Sequence, residues 1–489
     1  MTAPGTGGAG LADRVAAAAR SARPGVPAGP VADAVDAVVD RLADRRLRIA
    51  VGGRMNAGKS TLINALVGQR VAATAATECT RLVAWFRGSH QNRIEVRRTD
   101  GTSYHVPGRP GGGVPDDLTL LGADRASVRE LVVEVVNDRL DQRYTIVDTP
   151  GMDSLSGLDE IAMAALARAD ALLYVMPHPG AGDTAAIEAL RRQAGERLTA
   201  ANVLGVLSRV DELGDGVGDP WPRARRLTST YGARLRGVVG DVVPVVGLLA
   251  ATAAGDTFTE DDAALVRRLA VADAEALGRA LYSGRTFRAW STGPLSSDER
   301  DLLAARLGRY GITVATDACR KGISGAAPLL AELRRHSGID ALESAITDRF
   351  VAVADRLRAG FAISTLERVV RAAPPGPPAL VTLATTLATL RRDPRLRQAD
   401  LGTALVDLGA GRLRLTDEDA AALVTLATAA DPAGCVGLDA DASAEQLRQA
   451  ADREILRWRR REDDPSRLVQ RHARTAREVC EAIFFSVTS

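Results

Sequence analysis

The sequence predicts an α/β P-loop domain, with a mostly parallel, doubly wound sheet, joined to an all-α helical bundle built from the N- and C-terminal segments. Three observations predict it. A glycine-rich run from Gly53 to Ser60 follows an apolar run, Leu47 to Val51, and precedes a helical pattern, Thr61 to Val67. Short apolar strands then alternate with helical segments, as in βα units. The two ends of the chain carry apolar residues at helical spacing. With 489 residues, two or three domains are expected. The boundaries fall at 1–45 for N-terminal helices that join the bundle, 46–337 for the α/β domain and 338–489 for the bundle, which also offers a tip for membrane contact.

The run Gly53-Arg54-Met55-Asn56-Ala57-Gly58-Lys59-Ser60, with Thr61 after it, fits GxxxxGK[ST] in the strand–loop–helix context that this pattern requires. Its glycines let backbone N–H groups turn toward a β-phosphate, the helix N-terminus adds its dipole, and the Lys59 ammonium reaches the β/γ oxygens. Ser60 supplies a hydroxyl for Mg²⁺. A chance match is the competing explanation in a chain with 46 glycines, and composition weighs against it. The chain has two lysines, Lys59 and Lys321, and one stands where phosphate chemistry needs a compact charge on a flexible stem.

Composition limits the alternatives. Hydrophobic residues make up 46% and aromatic residues 3%, so the core must be Leu, Val and Ala, which suits closely packed helices. Lys+Arg 63 against Asp+Glu 61 leaves a net charge of +2, without the basic excess of a dedicated nucleic-acid binder. No nucleic-acid partner is expected. Cys79, Cys319, Cys435 and Cys480 are far apart, form no metal spacing, and read as reduced thiols. Met1 to Gly10 has neither the basic start nor the apolar run of a secretory signal. The longest uncharged stretch, Ala372 to Leu390, is broken by Pro374, Pro375, Pro377 and Pro378, so it is not expected to span a bilayer.

In chain order, residues 11–22 read as a helix, and Val31, Val35, Val38 and Leu42 give a second one an apolar face. Both precede the first strand and need a partner outside the α/β core. Past the phosphate loop, Thr80 lies 21 positions beyond Lys59 and is the candidate to close over a γ-phosphate and bind Mg²⁺, with Thr77 the runner-up. A hairpin is predicted at Arg93 to Arg98 and Ser103 to Val106, turning at Thr99-Asp100-Gly101. Strands follow at Leu131 to Val136 and Tyr144 to Val147, the second delivering Asp148-Thr149-Pro150-Gly151. In this DxxG element Asp148 would hold Mg²⁺ through water and Gly151 would offer its N–H to the γ-phosphate. Helices at 157–169 and 184–197 and strands at Ala171 to Met176 and Val203 to Leu207 continue the alternation. The last of these strands leads into Ser208-Arg209-Val210-Asp211, where GTPases hold [NT]KxD. Asp211 keeps the carboxylate that accepts from the guanine edge, and Arg209 can stack on a base as lysine does. A strand at Val242 to Val246 ends in Gly247-Leu248, whose backbone N–H groups are expected near the base.

With these pieces in place, the chain resembles the dynamin family of large GTPases, and within it the mycobacterial isoniazid-inducible dynamin-like proteins. The resemblance rests on Gly58 to Gly68 (GKSTLINALVG), Glu78 to Val83 (ECTRLV), Asp148 to Ser154 (DTPGMDS) and Leu207 to Glu212 (LSRVDE). It covers about 46–345 specifically and the remainder by architecture. It implies GTP/GDP and Mg²⁺ as ligands, with Asn56, Lys59 and Thr80 as catalytic candidates and Ser60, Thr80 and Asp148 as metal ligands. It further implies a homodimer, or a heterodimer with a related GTPase, formed through the G domains. Contact with an anionic lipid membrane and a cytoplasmic location, peripheral at the inner face of the cell membrane, also follow from it. The phosphate loop departs from the family pattern: Met55 and Asn56 stand where dynamins carry Gln and Ser. Met55 can neither position water nor hold a cation, while Asn56 can still orient water.

From Asp256 to Ala318 the chain reads as helical, with a break at Ser291 to Ser297 and an edge strand at Gly311 to Val314. A long helix is expected from Gly338, with Leu342, Ile346, Phe350, Val353, Leu357 and Phe361 in one stripe that would receive the N-terminal helices. Leu380, Leu383, Leu387 and Leu390 repeat with coiled-coil-like spacing. Helices at 398–409, 417–430, 442–463 and 465–483 complete the chain. Two loops are candidates for a membrane tip: 372–382, the preferred one, and 431–440. Arg457-Trp458-Arg459-Arg460-Arg461 is a basic patch whose plainer explanation is a self-paired helix face. Three functions are weighed: a membrane-remodelling GTPase, a GTP-binding regulatory partner of a related enzyme, and a GTPase acting on the ribosome or another RNA.

Overall fold

The structure is a computed structural model, and it describes residues 10–72, 82–108, 113–115, 118–124, 126–137, 140, 143–149, 164–166, 168–177, 201–213, 218–235, 239–373, 377–409, 411–429 and 431–487. The strands among them are β1 (Leu47–Gly53), β2 (Val83–Gly88), β3 (Arg93–Arg98), β4 (Ser103–Pro107), β5 (Val128–Val135), β6 (Tyr144–Asp148), β7 (Ala171–Met176), β8 (Val203–Leu207) and β9 (Val242–Pro244). They form one sheet in the order β4-β3-β5-β2-β6-β1-β7-β8-β9. From β6 to β9 all neighbours are parallel, whereas β2 joins β6 antiparallel and the β3–β4 hairpin adds an antiparallel edge. The fold is thus the α/β P-loop class with a mostly parallel, doubly wound sheet. β2, which carries Trp85 and Phe86, has no strand counterpart in the sequence reading.

Alternation along the central strands sends side chains to two cores, as a sheet covered on both faces requires. Ala50, Leu172, Tyr174 and Met176 face one core, while Ile49, Val51, Leu173 and Val175 face the other. The first core is covered by α4 (Trp221–Arg234), α6 (Glu260–Ala270), α7 (Ser297–Arg320) and α8 (Ala326–Arg335). The second is covered by α3 (Lys59–Val67) and α9 (Ile339–Ile346), and α5 (Gly247–Ala254) feeds both.

The edge strand expected at Gly311 to Val314 is instead interior to α7. The reason is periodicity: Gly311, Val314, Ala315 and Ala318 recur at helical spacing and are all buried on one face. A capping box between Ser296 and Glu299 starts that helix, so the Ser291 to Ser297 break is its N-cap loop. The single long helix expected from Gly338 is two helices. α9 ends at Ile346, the segment Thr347–Val351 widens into a π turn, and α10 (Ala354–Ala372) resumes. The expected stripe does not receive the N-terminal helices: its Leu357 also packs toward the sheet, and a different face of α10 takes them. Ile339, Leu342, Ile346 and Phe350 pack on the sheet, while Ala359, Ala362, Ile363 and Leu366 receive the N-terminal helices.

Those helices, α1 (Leu11–Ala22) and α2 (Pro30–Ala43), pack with α10 and α11 (Pro378–Leu390) as a four-helix bundle. Leu380, Leu383, Leu387 and Leu390 are all buried inside it, so their coiled-coil-like spacing serves intramolecular packing. A second helical core joins α12 (Pro394–Gly409), α13 (Asp417–Thr428), α14 (Ala444–Arg461) and α15 (Arg467–Ser486). Trp458 is buried there at 1% exposure, and Arg457 pairs with Glu418 and Asp419 of α13. Arg457, Trp458 and Arg461 thus form a packed helix seam, while Arg459 and Arg460 face outward.

Candidate nucleotide-binding site

The predicted site residues that lie among the described ones converge at the carboxyl end of the parallel strands, where ligands of open α/β sheets bind. Strand register places Val51 beside Asp148 and Gly53 beside Val175. The chain then leaves β1 through Gly53, at φ 146°, where a Cβ would sit 2.3 Å from the Val175 carbonyl oxygen. Glycine is required at that point by both space and conformation. Arg54, Met55 and Asn56 are exposed, and Asn56 adopts the left-handed conformation at φ 56°. Gly58, at φ 97°, turns the backbone into α3, so the helix N-terminus faces the hollow of the loop.

Lys59 folds back over this hollow and donates to the carbonyls of Gly53 at 3.0 Å and Arg54 at 2.8 Å. Ser60 and Thr61 follow in the first turn of α3, half-buried. Asp148 ends β6 beside the loop. Burial pushes its carboxyl up to about 7, against the opposing pull of Lys59 and of a backbone N–H at Thr149. A hydroxyl at Ser60 and a desolvated carboxyl at Asp148 form an oxygen donor set that fits a hard divalent cation such as Mg²⁺. Thr149, which the sequence reading left without a role, donates from Oγ1 to the Val51 carbonyl at 2.9 Å and ties the DxxG start to β1. Gly151, Thr77 and Thr80 lie outside the described residues.

The end of β8 is stitched to the phosphate loop. Ser208 Oγ donates to the Ala57 carbonyl at 2.7 Å, and Arg209 Nη2 donates to the Asn56 carbonyl at 2.9 Å. Arg209 stands in the left-handed region at φ 52°, a conformation worth roughly 1–2 kcal/mol of strain in a residue with a Cβ. Two such residues touching each other at one site mark a locally over-determined arrangement. Asp211 lies just beyond, half-buried; desolvation raises its pKa, and among the described residues no side chain donates a hydrogen bond to it.

Gly247 and Leu248 do not continue a strand: β9 stops at Pro244 and they open α5. They still border the site, since a Cβ on Gly247 would lie 3.5 Å from Thr61 Cγ2 and Leu248 reaches toward Asp211 through Gly308. Gly308, Arg309 and Tyr310 of α7 also face Asp211. Nothing in their local sequence beyond a glycine inside a helical pattern signals this.

The sheet order, the glycine-lined loop before α3, Asp148 at the end of β6 and Asp211 in the turn after β8 together define a P-loop GTPase fold. A model of the dynamin family matches residues 49–210. The chain is 33% identical over 445 residues to the isoniazid-induced protein IniC of Mycobacterium tuberculosis, covering 88% of each. It is 27% identical over 141 residues to dynamin-like protein A of Bacillus subtilis, covering 29% of this chain and 12% of that one. Among solved structures, an oligomerised bacterial dynamin pair aligns with 86% of this chain and 79% of its own, at 14% identity and a TM-score of 0.34. The chain belongs to the dynamin family.

Proposed function

We propose that this protein binds and hydrolyses GTP with Mg²⁺ and couples that cycle to pairing of its G domains and to membrane binding. The observation that carries the nucleotide half is the convergence of the Gly53–Thr61 loop, Asp148 and Asp211 at one end of the sheet. In this reading the loop N–H groups and Lys59 hold the phosphates, Lys59 exchanging its two carbonyl contacts for phosphate oxygens. Ser60, Thr80 and Asp148 would hold Mg²⁺, which would supply charge neutralisation at the phosphates. Asp211 accepts from the guanine edge while Arg209 packs along the base. Asn56 orients the attacking water, and Thr80 with Gly151 responds to the γ-phosphate.

The division into 1–45, 46–337 and 338–489 is part of the proposal, with α9 packed on the sheet as the link. Among the described residues no helix is long and apolar enough to cross a membrane, so contact would be peripheral. The turn at 23–29 and the 377–381 segment lie together, Gly25 against Ala379, and Val381 is 65% exposed. This proline-rich end is the favoured membrane tip. The competing loop at 431–440 buries Ala433 and Cys435. The partner reading stays in view because of Met55, which is 55% exposed and chemically inert.

The deciding experiment is phosphate release from GTP and from ATP, with and without anionic liposomes. GTP-selective turnover that rises with liposomes and disappears in Lys59→Ala is the expected result. GTP binding with no turnover, indifferent to lipid, would leave the regulatory-partner reading and sink the remodelling one.

A further inference from the structure

We infer that Gly308, at a kink in α7, is a specificity-determining wall of the base site, supplied by a helix outside the nucleotide-binding motifs. The inference rests on the reading of Asp211 as the guanine-selecting carboxylate. α7 is helical on both sides of Gly308, but Gly308 itself stands at φ 63°, ψ −179°. That combination is essentially closed to residues with a Cβ. A mid-helix kink has a local cause, and here it is this one glycine.

The kink faces the base site. A Cβ placed on Gly308 would lie 3.8 Å from Asp211 Oδ2 and 3.3 Å from Leu248 Cδ2. Three features therefore meet: a desolvated carboxylate in the 3-10 turn that follows β8, an apolar side chain on the first turn of α5, and a bare stretch of α7 backbone. A side chain at position 308 would enter the gap between Leu248 and Asp211. That gap is the approach a planar base needs to present its N–H edge to the carboxylate while its face rests on Leu248.

The kink is mounted rigidly. Thr252 Oγ1 of α5 donates to the Arg306 carbonyl at 2.5 Å just before it, and Leu307 is fully buried. After it, Arg309 donates to the Tyr282 carbonyl at 2.5 Å, and Trp221 Nε1 donates to Tyr310 Oη at 2.9 Å. A Cβ on Gly311 would come within 2.8 Å of Leu249 Cδ1, so α7 lies tightly against α5 as well. These fixings hold position 308 against Asp211, so a side chain there has little room to relax away from the pocket.

The test compares a ligand with a base to one without. Affinities for a fluorescent GDP analogue and for inorganic tripolyphosphate, which needs only the phosphate loop, are measured on the wild type, Gly308→Val and Leu248→Trp, with thermal melting of each. Leu248→Trp fills the same gap from the opposite side without backbone strain, and decides the question if Gly308→Val does not fold. The expected result is a loss of roughly tenfold or more in GDP affinity with tripolyphosphate binding retained. An unchanged ratio of the two affinities in Leu248→Trp, or in a folded Gly308→Val, overturns the inference. Asp211→Asn separates the two readings. If it moves preference from guanine to xanthine nucleotide while the ratio stays put, only the role of Gly308 falls. If the wild type binds GDP and ADP alike, the reading of Asp211 falls and this inference with it.

Discussion

Replacing Asp170 with alanine is expected to cost about 3–5 kcal/mol of stability, the range for breaking a buried ion pair by removing one partner. Asp170 precedes β7 and is 3% exposed. Its Oδ2 accepts the Arg48 N–H at 2.8 Å and pairs with the Arg41 guanidinium of α2, whose side chain is itself 5% exposed. Arg358 of α10 comes to the same place and donates to the carbonyls of Leu42 at 2.6 Å and Asp44 at 2.9 Å. Three guanidinium groups thus crowd one buried carboxylate. Burial, then the neighbouring charge of Arg41, hold the Arg48 pKa down to about 10, and Asp170 is the strongest opposing influence. A surface pair would be worth about 0–1 kcal/mol; burial decides for the larger figure. The assay is equilibrium urea denaturation, with hydrogen exchange over 36–48 and 354–362 to locate the loss. The double variant Arg41→Met with Asp170→Leu removes one charge of each sign and should recover part of the loss, with Arg48 and Arg358 left beside an apolar side chain. A loss below about 1 kcal/mol in Asp170→Ala would refute the argument that this cluster is desolvated.

Three further outcomes are expected. Met55→Gln should raise GTP turnover at least several-fold with little change in nucleotide affinity, because the exposed Met55 contributes no donor to the reaction; single-turnover kinetics check it. Trp458→Ala should cost about 3–5 kcal/mol, since the ring is 1% exposed in the second helical core, and calorimetry should show the loss in that part of the protein. The same core should lose stability on acidification. Burial lowers the His472 pKa below its ordinary 6.5, against the hydrogen bond to Asp407, so the folded state binds that proton more weakly than the unfolded chain. Stability is then complete above about 6.5 and falls as pH drops through the folded value. Asp407 and Asp419, held below 3.8 by their arginine and histidine partners despite burial, add a second loss at lower pH. His472→Gln should remove the first of these two steps in a pH series of urea midpoints.

The sequence made the nucleotide end of the molecule legible because its chemistry is local. Gly53, Gly58 and Lys59 stand within one loop whose geometry each residue type dictates, Asp148 ends an apolar strand, and Asp211 sits in the short turn that follows another. What could not be read depends on distant segments meeting. Gly308 is unremarkable in its own helix and matters only because Asp211 and Leu248 come from elsewhere in the chain. Trp458 among arginines looks exposed until α13 supplies Glu418 and Asp419. The Gly311–Val314 segment reads as a strand when the window is four residues, and as a helix once Ala315 and Ala318 are counted with it.

The break between α9 and α10 was hidden for a different reason. No proline or glycine occurs in Thr347–Val351, and the apolar stripe runs through it without losing register. Its consequence is mechanical. α9 is fixed to the sheet through Ile339, Leu342 and Ile346, and α10 is fixed to α1 and α2, so a wide helical turn lies where the sheet hands over to the bundle. The other crossing is the short link after α2, gripped by Arg358 at Leu42 and Asp44. Beside both lies a cavity of about 110 Å³ with a mixed lining, in which Asp170, Arg356 and Asp400 meet Leu357, Phe361 and Ile363. A seam that is incompletely filled yields more readily than the close-packed cores on either side of it. Asp170, at the start of the strand next to β1, is the residue through which the sheet holds this seam.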